Sequence, residues 1–146
     1  MLSLDTNIVF YAMNADAPQH DRAVAFLDSL SANEDVAISE LMLAELYRLL
    51  RNPAVVSHPW DARGAIEVIQ HFRRHPRWRL LGFPPDSRAL HDQLWALAGK
   101  RGFAYRRLYD ARMALLLIQH GVTEFVTANT RDFEGFGFAR VWNPLV

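Results

Sequence analysis

MLSLDTN, residues 1–7, is the stretch from which the fold is predicted. Four mostly apolar residues run directly into Asp5, a pattern typical of a buried strand that ends at a carboxylate. In open α/β sheets, ligands bind outside the carboxyl edge of the strands. A first strand over residues 1–4 therefore predicts that Asp5 lies at the edge of a sheet where a ligand binds.

The length and composition are those of an ordinary globular protein. The chain has 146 residues, of which 51% are hydrophobic and 22% are charged, and it contains no cysteine. One domain over residues 1–146 can form a core of this size without disulfides or thiolate metal sites. Because Asp5 interrupts the first apolar run, we expect no signal peptide and no membrane span, and hence a cytoplasmic protein.

The charges are balanced in number but not in position. The formal net charge is zero, so bulk electrostatics do not indicate a nucleic-acid binder. Residues 1–50 hold eight Asp or Glu and two Arg, whereas residues 51–146 hold fourteen Lys or Arg and eight Asp or Glu. This asymmetry is compatible with basic surface beside an acidic centre, and equally with an ordinary mixed surface.

Short apolar runs alternate with amphipathic segments along the chain. The pattern predicts strands at 36–39, 79–82, 124–127 and 138–142, and helices at 20–30, 40–51, 61–75, 87–98 and 108–120. Residues 8–12 are a short apolar run, residues 101–107 read as a basic loop, and residues 128–137 read as a polar and aromatic loop. The alternation indicates an α/β domain with a mainly parallel central sheet and right-handed crossovers.

Two of the predicted helices carry a carboxylate on the face that carries apolar residues. Glu45 follows Met42 by three residues, and Asp110 precedes Met113 by three. An ionised carboxylate is unfavourable on an apolar face unless it is paired, hydrogen-bonded or bound to a metal. If the fold brings both to Asp5, the three need a cation, and an all-oxygen set without Cys or paired His suits Mg²⁺ or Mn²⁺.

Each carboxylate also has an ordinary structural explanation. Asp110 lies in the first turn of its helix, where the helix dipole favours a negative charge. The sequence equally allows ion pairs of Glu45 with Arg48 or Arg51, ion pairs of Asp110 with Arg106 or Arg107, and a turn cap at Asp5. These structural roles and the metal site stay open at the level of sequence.

Four segments, taken in order, resemble the acidic motifs of PIN-domain nucleases, especially the VapC toxins of bacterial toxin–antitoxin pairs. They are LDTN at 4–7, AEL at 44–46, YDARMAL around Asp110 and TANTRDF at 127–133. The resemblance covers nearly the whole chain and implies a three-layer PIN-like fold with helices flanking the sheet. It further implies an Mg²⁺- or Mn²⁺-dependent endoribonuclease that uses Asp5, Glu45 and Asp110 to hydrolyse RNA. Such proteins are inhibited by a VapB-like antitoxin in the active-site groove, and are commonly homodimers.

The chain departs from the family pattern in the fourth motif. The family often has Asp two residues after the motif's threonine, where this sequence has Asn129. Asn129 can position water or hydrogen-bond a carboxylate, and Asp132 can supply the missing charge as a fourth catalytic acid. The sequence therefore leaves open whether a second metal ion binds. Thr6 and Thr127 are expected to hydrogen-bond the metal-binding carboxylates, unless each hydroxyl only caps a turn.

The segment before Asp110 is basic. Arg106, Arg107 and Arg112 are candidates to bind an RNA backbone, and Tyr105 to stack on a base, although a solvated basic face explains the same pattern. A non-catalytic PIN-fold module that binds RNA or protein is the second hypothesis, prompted by Asn129. A phosphotransferase with Asp5 as nucleophile is weaker, because the haloacid-dehalogenase pattern has a second Asp where this chain has Asn7.

Overall fold

The computed structural model describes residues 1–146 and contains one five-stranded sheet. The strands are β1 (Leu2–Leu4), β2 (Val36–Ser39), β3 (Arg79–Leu81), β4 (Glu124–Val126) and β5 (Arg140–Trp142). Their order is β3-β2-β1-β4-β5, and every neighbouring pair is parallel. The predicted mainly parallel sheet is confirmed, and no antiparallel strand interrupts it.

Seven α-helices connect and flank the strands. They are α1 (Thr6–Met13), α2 (His20–Leu30), α3 (Glu40–Leu50), α4 (Ala62–Arg73), α5 (Ser87–Ala98), α6 (Leu108–Gln119) and α7 (Thr130–Phe133). The predicted α2, α3, α4, α5 and α6 are confirmed within two residues at each end. None of the seven combines the length and apolar character needed to cross a bilayer.

The strand order explains the three layers. Strands β2 and β3 are added in order on one side of β1. Strand β4 then pairs with β1 on its other side, and β5 pairs with β4. Because parallel crossovers are right-handed, connections that run in opposite directions place their helices on opposite faces. The contacts agree with this arrangement, since α1 packs on α2 and α3, and α5 packs on α6.

Two helices were not predicted. Residues 8–12, left unclassified as a short apolar run, belong to α1, in which Ile8, Val9 and Phe10 are all buried. A run without polar positions has no period, so it does not distinguish helix from strand. The second is α7, a single turn inside the loop predicted over 128–137, and residues 105–107 form a 3₁₀ turn within the predicted basic loop.

Strand β1 lies at the centre of both the sheet and the core. Leu4 and the neighbouring Phe125 of β4 are almost completely buried, as are the inward side chains of α3 and α6. On α4, Ile69 is buried, whereas Ile66 is 47% exposed although it lies only three residues away. The core therefore fixes the two strand ends that follow Leu4 and Val126.

We predict that the buried face of α3 is essential for stability. Leu46→Ala removes a side chain with no exposed surface and leaves a cavity, so the free energy of unfolding should fall by about 2–5 kcal/mol. Leu80→Ala, at a leucine of β3 that is 37% exposed, is the matched control and should have a smaller effect. Urea denaturation followed by circular dichroism measures both, and equal losses would contradict the assigned packing of α3.

Candidate active site

The centre of the site lies between β1 and β4, where the order of the strands reverses. Leu4 pairs with Val126 in the register of these parallel strands. The next residue along β1, Asp5, donates its backbone N–H to the Val126 carbonyl oxygen at 2.8 Å. Asp5 and Thr127 therefore follow neighbouring strand ends, at the position where α/β sheets bind ligands.

Both oxygens of the Asp5 carboxylate accept hydrogen bonds. Oδ1 accepts from the backbone N–H of Thr6 at 2.7 Å, which makes Asp5 the N-cap of α1, and Oδ2 accepts from the Thr127 hydroxyl at 2.7 Å. Asp5 is only 7% exposed. The capping role left open by the sequence is thus present, and it orients the carboxylate at the strand end.

A second threonine joins Asp5 to helix α3. The Thr6 hydroxyl donates to Oε2 of Glu45 at 2.7 Å, while the Thr6 N–H bonds Asp5. Glu45 is exposed, so its predicted place on the inward face of α3 is wrong, whereas Met42 and Leu46 are buried there. The residue sits at the border of the apolar face, from which its long side chain reaches back to α1.

The remaining two carboxylates come from α6 and α7. Asp110 lies in the first turn of α6 and is half-buried, and Asp132 lies in α7. Burial raises the pKa of Asp110, and the charges of Glu45 and Asp132 raise it further, whereas the charge of Arg107 lowers it. Glu45 and Asp132 are thus both near enough to repel the Asp110 carboxylate.

Asp5 experiences the strongest electrostatic effect of the site. Burial raises its pKa to about 7 from an ordinary value of 3.8, although the bonds from Thr127 and Thr6 favour the charged form. The charges of Glu45 and Asp110 raise this pKa as well. Acids from β1, α3 and α6, far apart in the sequence, therefore share one electrostatic environment.

No arginine neutralises these acids by a direct ion pair. The five ion pairs of the protein involve other carboxylates, so the pairs considered from the sequence, Glu45 with Arg48 or Arg51 and Asp110 with Arg106 or Arg107, are not formed. The side chains also do not form a ready-made group of three metal ligands. The acids are close and form no ion pair, but they do not converge at coordination distance.

The three arginines predicted to bind RNA differ in their surroundings. Arg106 is exposed, and Arg112 lines a cavity of about 330 Å³ between α3 and α6 together with Glu45 and Asp110. Arg107 is half-buried, donates from Nη2 to the backbone oxygen of Asp132 at 2.9 Å, and lies 5.6 Å from the ring centre of Phe136. Its buried Nε–H has no partner.

Asn7 hydrogen-bonds residues that follow β4. In the sequence analysis this residue served only as an argument against a phosphotransferase. Its Nδ2 donates to the Thr127 hydroxyl oxygen at 3.5 Å, and its Oδ1 accepts from the N–H of Ala128 at 3.3 Å. The same hydroxyl oxygen accepts from the N–H of Asn129 at 3.0 Å. The Asn129 side chain is exposed and makes no hydrogen bond, so its backbone rather than its amide supports the site.

Comparison with known proteins agrees with the fold. The family model described as PIN domain matches residues 2–139. Proteins named Ribonuclease VapC24 from two strains of Mycobacterium tuberculosis are 52% identical over 145 residues, which are 99% of this chain and 97% of theirs.

Solved structures show a similar fold. The structure of FitAB bound to an IR36 DNA fragment matches with a TM-score of 0.68 and 26% identity over 100% of this chain and 96% of that chain. VapBC2 from Rickettsia felis, bound to a promoter DNA fragment, matches with a TM-score of 0.67 and 22% identity over 97% of each chain. Mycobacterium tuberculosis VapC20, described as a sarcin-ricin loop cleaving toxin, matches with a TM-score of 0.63 and 19% identity over 86% of this chain and 87% of that chain.

With the family model covering nearly all of the sequence and the full-length relatives more than half identical, this chain is a member of the PIN-domain family.

Proposed function

We propose that this protein is an Mg²⁺- or Mn²⁺-dependent endoribonuclease and the toxin of a VapBC-type pair. The relatives at 52% identity are named ribonucleases, which supports RNA as the substrate. The observation that carries the proposal is the group of acids at the sheet's switch point, which repel each other and form no ion pair with an arginine. A divalent cation would relieve the repulsion among these carboxylates, and it would also bind the phosphodiester of a substrate.

The donor chemistry fits a hard cation. All four side chains, Asp5, Glu45, Asp110 and Asp132, offer carboxylate oxygens, and no thiolate or imidazole competes. We assign Asp5, Glu45 and Asp110 as metal ligands. When bound, the cation supplies activation of water and neutralisation of negative charge on the phosphodiester. We propose that, on metal binding, rotation of the exposed Glu45 and half-buried Asp110 side chains brings their carboxylates closer to Asp5.

The two threonines act by orienting the acids. Thr127 can donate only one hydroxyl proton, and its oxygen already accepts from Asn7 and Asn129, so that proton is directed to Asp5. Thr6 directs its hydroxyl to Glu45 in the same way. Hydrogen bonds of this kind fix the direction of a ligand's free electron pairs and raise metal affinity.

We assign the fourth acidic position to Asp132. Its charge already acts on Asp110, whereas the exposed amide of Asn129 makes no hydrogen bond. Arg107 holds this segment, because it bonds the Asp132 backbone oxygen and stacks on Phe136. We therefore interpret Arg107 as a residue that positions Asp132, and retain Arg106 and Arg112 as RNA contacts.

The proposed partners follow from the relatives. FitAB and VapBC2 are solved with DNA fragments, and the VapBC2 fragment comes from its promoter. For this chain we propose a cognate VapB-like antitoxin, a homodimer and a cytoplasmic location. An antitoxin that covers the groove between α3 and α6 would block access to the acids.

We predict that Asp5→Asn abolishes cleavage while preserving the fold. Loss of a ligand carboxylate should lower the rate by about 100-fold or more, beyond the effect of an outer hydrogen-bonding residue. RNA cleavage with Mg²⁺ or Mn²⁺, with and without EDTA, measures the effect, and circular dichroism checks folding. Asp16→Asn, at an exposed carboxylate in the loop before α2, should remain fully active. Undiminished cleavage in EDTA would refute metal dependence.

In metal-free protein, Asp5 should make stability depend on pH. Its pKa is about 7 in the folded state and about 3.8 when exposed, so the folded state binds more protons between these values and stability falls as pH rises through this range. The loss from pH 5 to pH 8 should be about 2–3 kcal/mol, since one pKa unit corresponds to about 1.4 kcal/mol.

Urea denaturation in EDTA at these two pH values tests this prediction. Asp5→Asn should reduce the pH dependence, and Asp16→Asn should leave it as in the wild type. The same slope in wild type and Asp5→Asn would show that Asp5 ionises freely in the folded protein.

Substitutions of Arg106 and Arg107 should affect the binding of different ligands although the two residues are adjacent. Arg107→Gln should weaken Mg²⁺ binding about tenfold, because the Asp132 segment loses its support. In an Asp132→Asn background the same substitution should have little further effect, since the two act together. Arg106→Gln should weaken RNA binding and leave Mg²⁺ binding unchanged.

Titration calorimetry measures the metal affinity, and fluorescence anisotropy in EDTA measures RNA binding. If Arg107→Gln weakened RNA binding in EDTA and left Mg²⁺ binding intact, Arg107 would be an RNA contact, as the sequence pattern alone indicated.

A further inference from the structure

The connection between α4 and β3 is held by a single histidine. Nδ1 of His75 accepts hydrogen bonds from the backbone N–H groups of Arg77 at 3.1 Å and Trp78 at 3.2 Å. Neither N–H group has another acceptor. One ring atom therefore fixes the backbone of the last two residues before β3.

The same histidine covers the tryptophan that anchors this connection. Trp78 is 9% exposed, and its indole N–H donates at 3.0 Å to the backbone oxygen of Leu30, the last residue of α2. The His75 ring lies nearly parallel to the indole, with ring centres 4.2 Å apart and an angle of 14°. Phe72 of α4 is also nearly parallel to the indole, at 6.4 Å and 18°. His75 thus joins the turn to the packing of α2 and α4.

The two hydrogen bonds require a neutral imidazole. A neutral ring has one nitrogen that accepts and one that donates, so an accepting Nδ1 places the proton on Nε2. Protonation adds a hydrogen at Nδ1, which then faces two N–H donors. Both backbone groups lose their acceptor, and a backbone donor without a partner is unfavourable in a folded protein. The closed turn therefore excludes the charged ring.

No nearby carboxylate offsets this preference for the neutral ring. The charged or titratable side chains near the turn come from α4, from α3 and from two loops, and are Glu34, Glu40, Glu67, His71, Arg73, Arg74 and Arg77. Each of the three glutamates is ion-paired with an arginine, and His75 forms no ion pair. Burial lowers the pKa of His75 from an ordinary value of 6.5, and the charge of His71 lowers it further.

We propose that His75 is a pH-sensitive latch on the connection between α4 and β3, closed by the neutral imidazole and opened by its protonation. Because the closed turn binds fewer protons than the open turn, it loses stability as the pH falls below the ordinary range of histidine. Opening frees the backbone at residues 77–78, uncovers Trp78 and loosens β3, which is an edge strand. Strand β2 separates β3 from β1, so the latch is independent of the acids and of the nuclease assignment.

The protonation state is tested first, without any substitution. In nitrogen-15 NMR of the histidine rings, neutral His75 should carry its proton on Nε2, and it should become protonated at a lower pH than a histidine in an unstructured peptide. A proton on Nδ1 of the neutral ring would contradict the latch. Protonation at a higher pH would also contradict it, because attraction of the charged ring to the Trp78 indole would then outweigh the hydrogen bonds at Nδ1.

Amide hydrogen exchange in EDTA then measures the opening. The protection factors of the Arg77 and Trp78 amides should fall about tenfold from pH 8 to pH 5, as expected for the loss of two hydrogen bonds of ordinary net strength. The amide of Leu46, in the buried part of α3, should show no such fall, because Asp5 makes the metal-free protein more stable at the lower pH. Unchanged protection at Arg77 and Trp78, or a parallel fall at Leu46, would overturn a local latch.

Two substitutions assign the effect to the imidazole. His75→Asn keeps an accepting oxygen near the position of Nδ1 but does not titrate, so the two amides should stay protected at both pH values. His75→Ala removes the acceptor, so both amides should exchange about tenfold faster at pH 8, with no further change at pH 5.

His58→Asn, at an exposed histidine in the loop before α4, is the matched control and should keep the wild-type pH dependence. Circular dichroism checks that each variant is folded. A pH dependence of Arg77 and Trp78 exchange that persists in His75→Asn or His75→Ala would show that another group opens the turn.

Discussion

Burial of the Asp5 carboxylate is the constraint on which the site depends. The residue is fixed by β1 and capped onto α1, and its charge is held in a largely dry environment near two other acids. Water cannot stabilise this charge well, so the folded protein either protonates it or requires a compensating cation. The hydrogen bonds from Thr6 and Thr127 reduce the electrostatic penalty but do not remove it.

The strands that position Asp5 were predicted from the sequence because their apolar runs end at recognisable polar residues. An apolar run ending in Asp-Thr-Asn and a second ending in Thr127 predicted two strand ends, and alternation with helices predicted a parallel sheet. Helix α1 escaped detection because its apolar run, residues 8–12, contains no charged position and therefore shows no periodicity. Glu45 was assigned to the wrong face because it borders the apolar stripe, where spacing alone does not separate an inward from an edge position.

The sequence did not predict that neighbouring residues of the same type differ in exposure and contacts. Arg106 and Arg107 are chemically identical and adjacent, yet one is exposed while the other holds the α7 segment. What separates them is the backbone oxygen of Asp132 and the ring of Phe136, both more than twenty residues away. Asn7 likewise acquires its role only when Thr127 is placed beside it.

The bond between Thr127 and Asp5 joins residues 122 positions apart, and β1 lies between β2 and β4 in the sheet. During translation the first strand emerges early, but its neighbour on one side is made almost at the end. The acid centre is thus assembled only once nearly the whole polypeptide has left the ribosome. A chain interrupted before Thr127 would lack this contact, so the Asp5 carboxylate acquires its full set of hydrogen bonds only when the polypeptide is nearly complete.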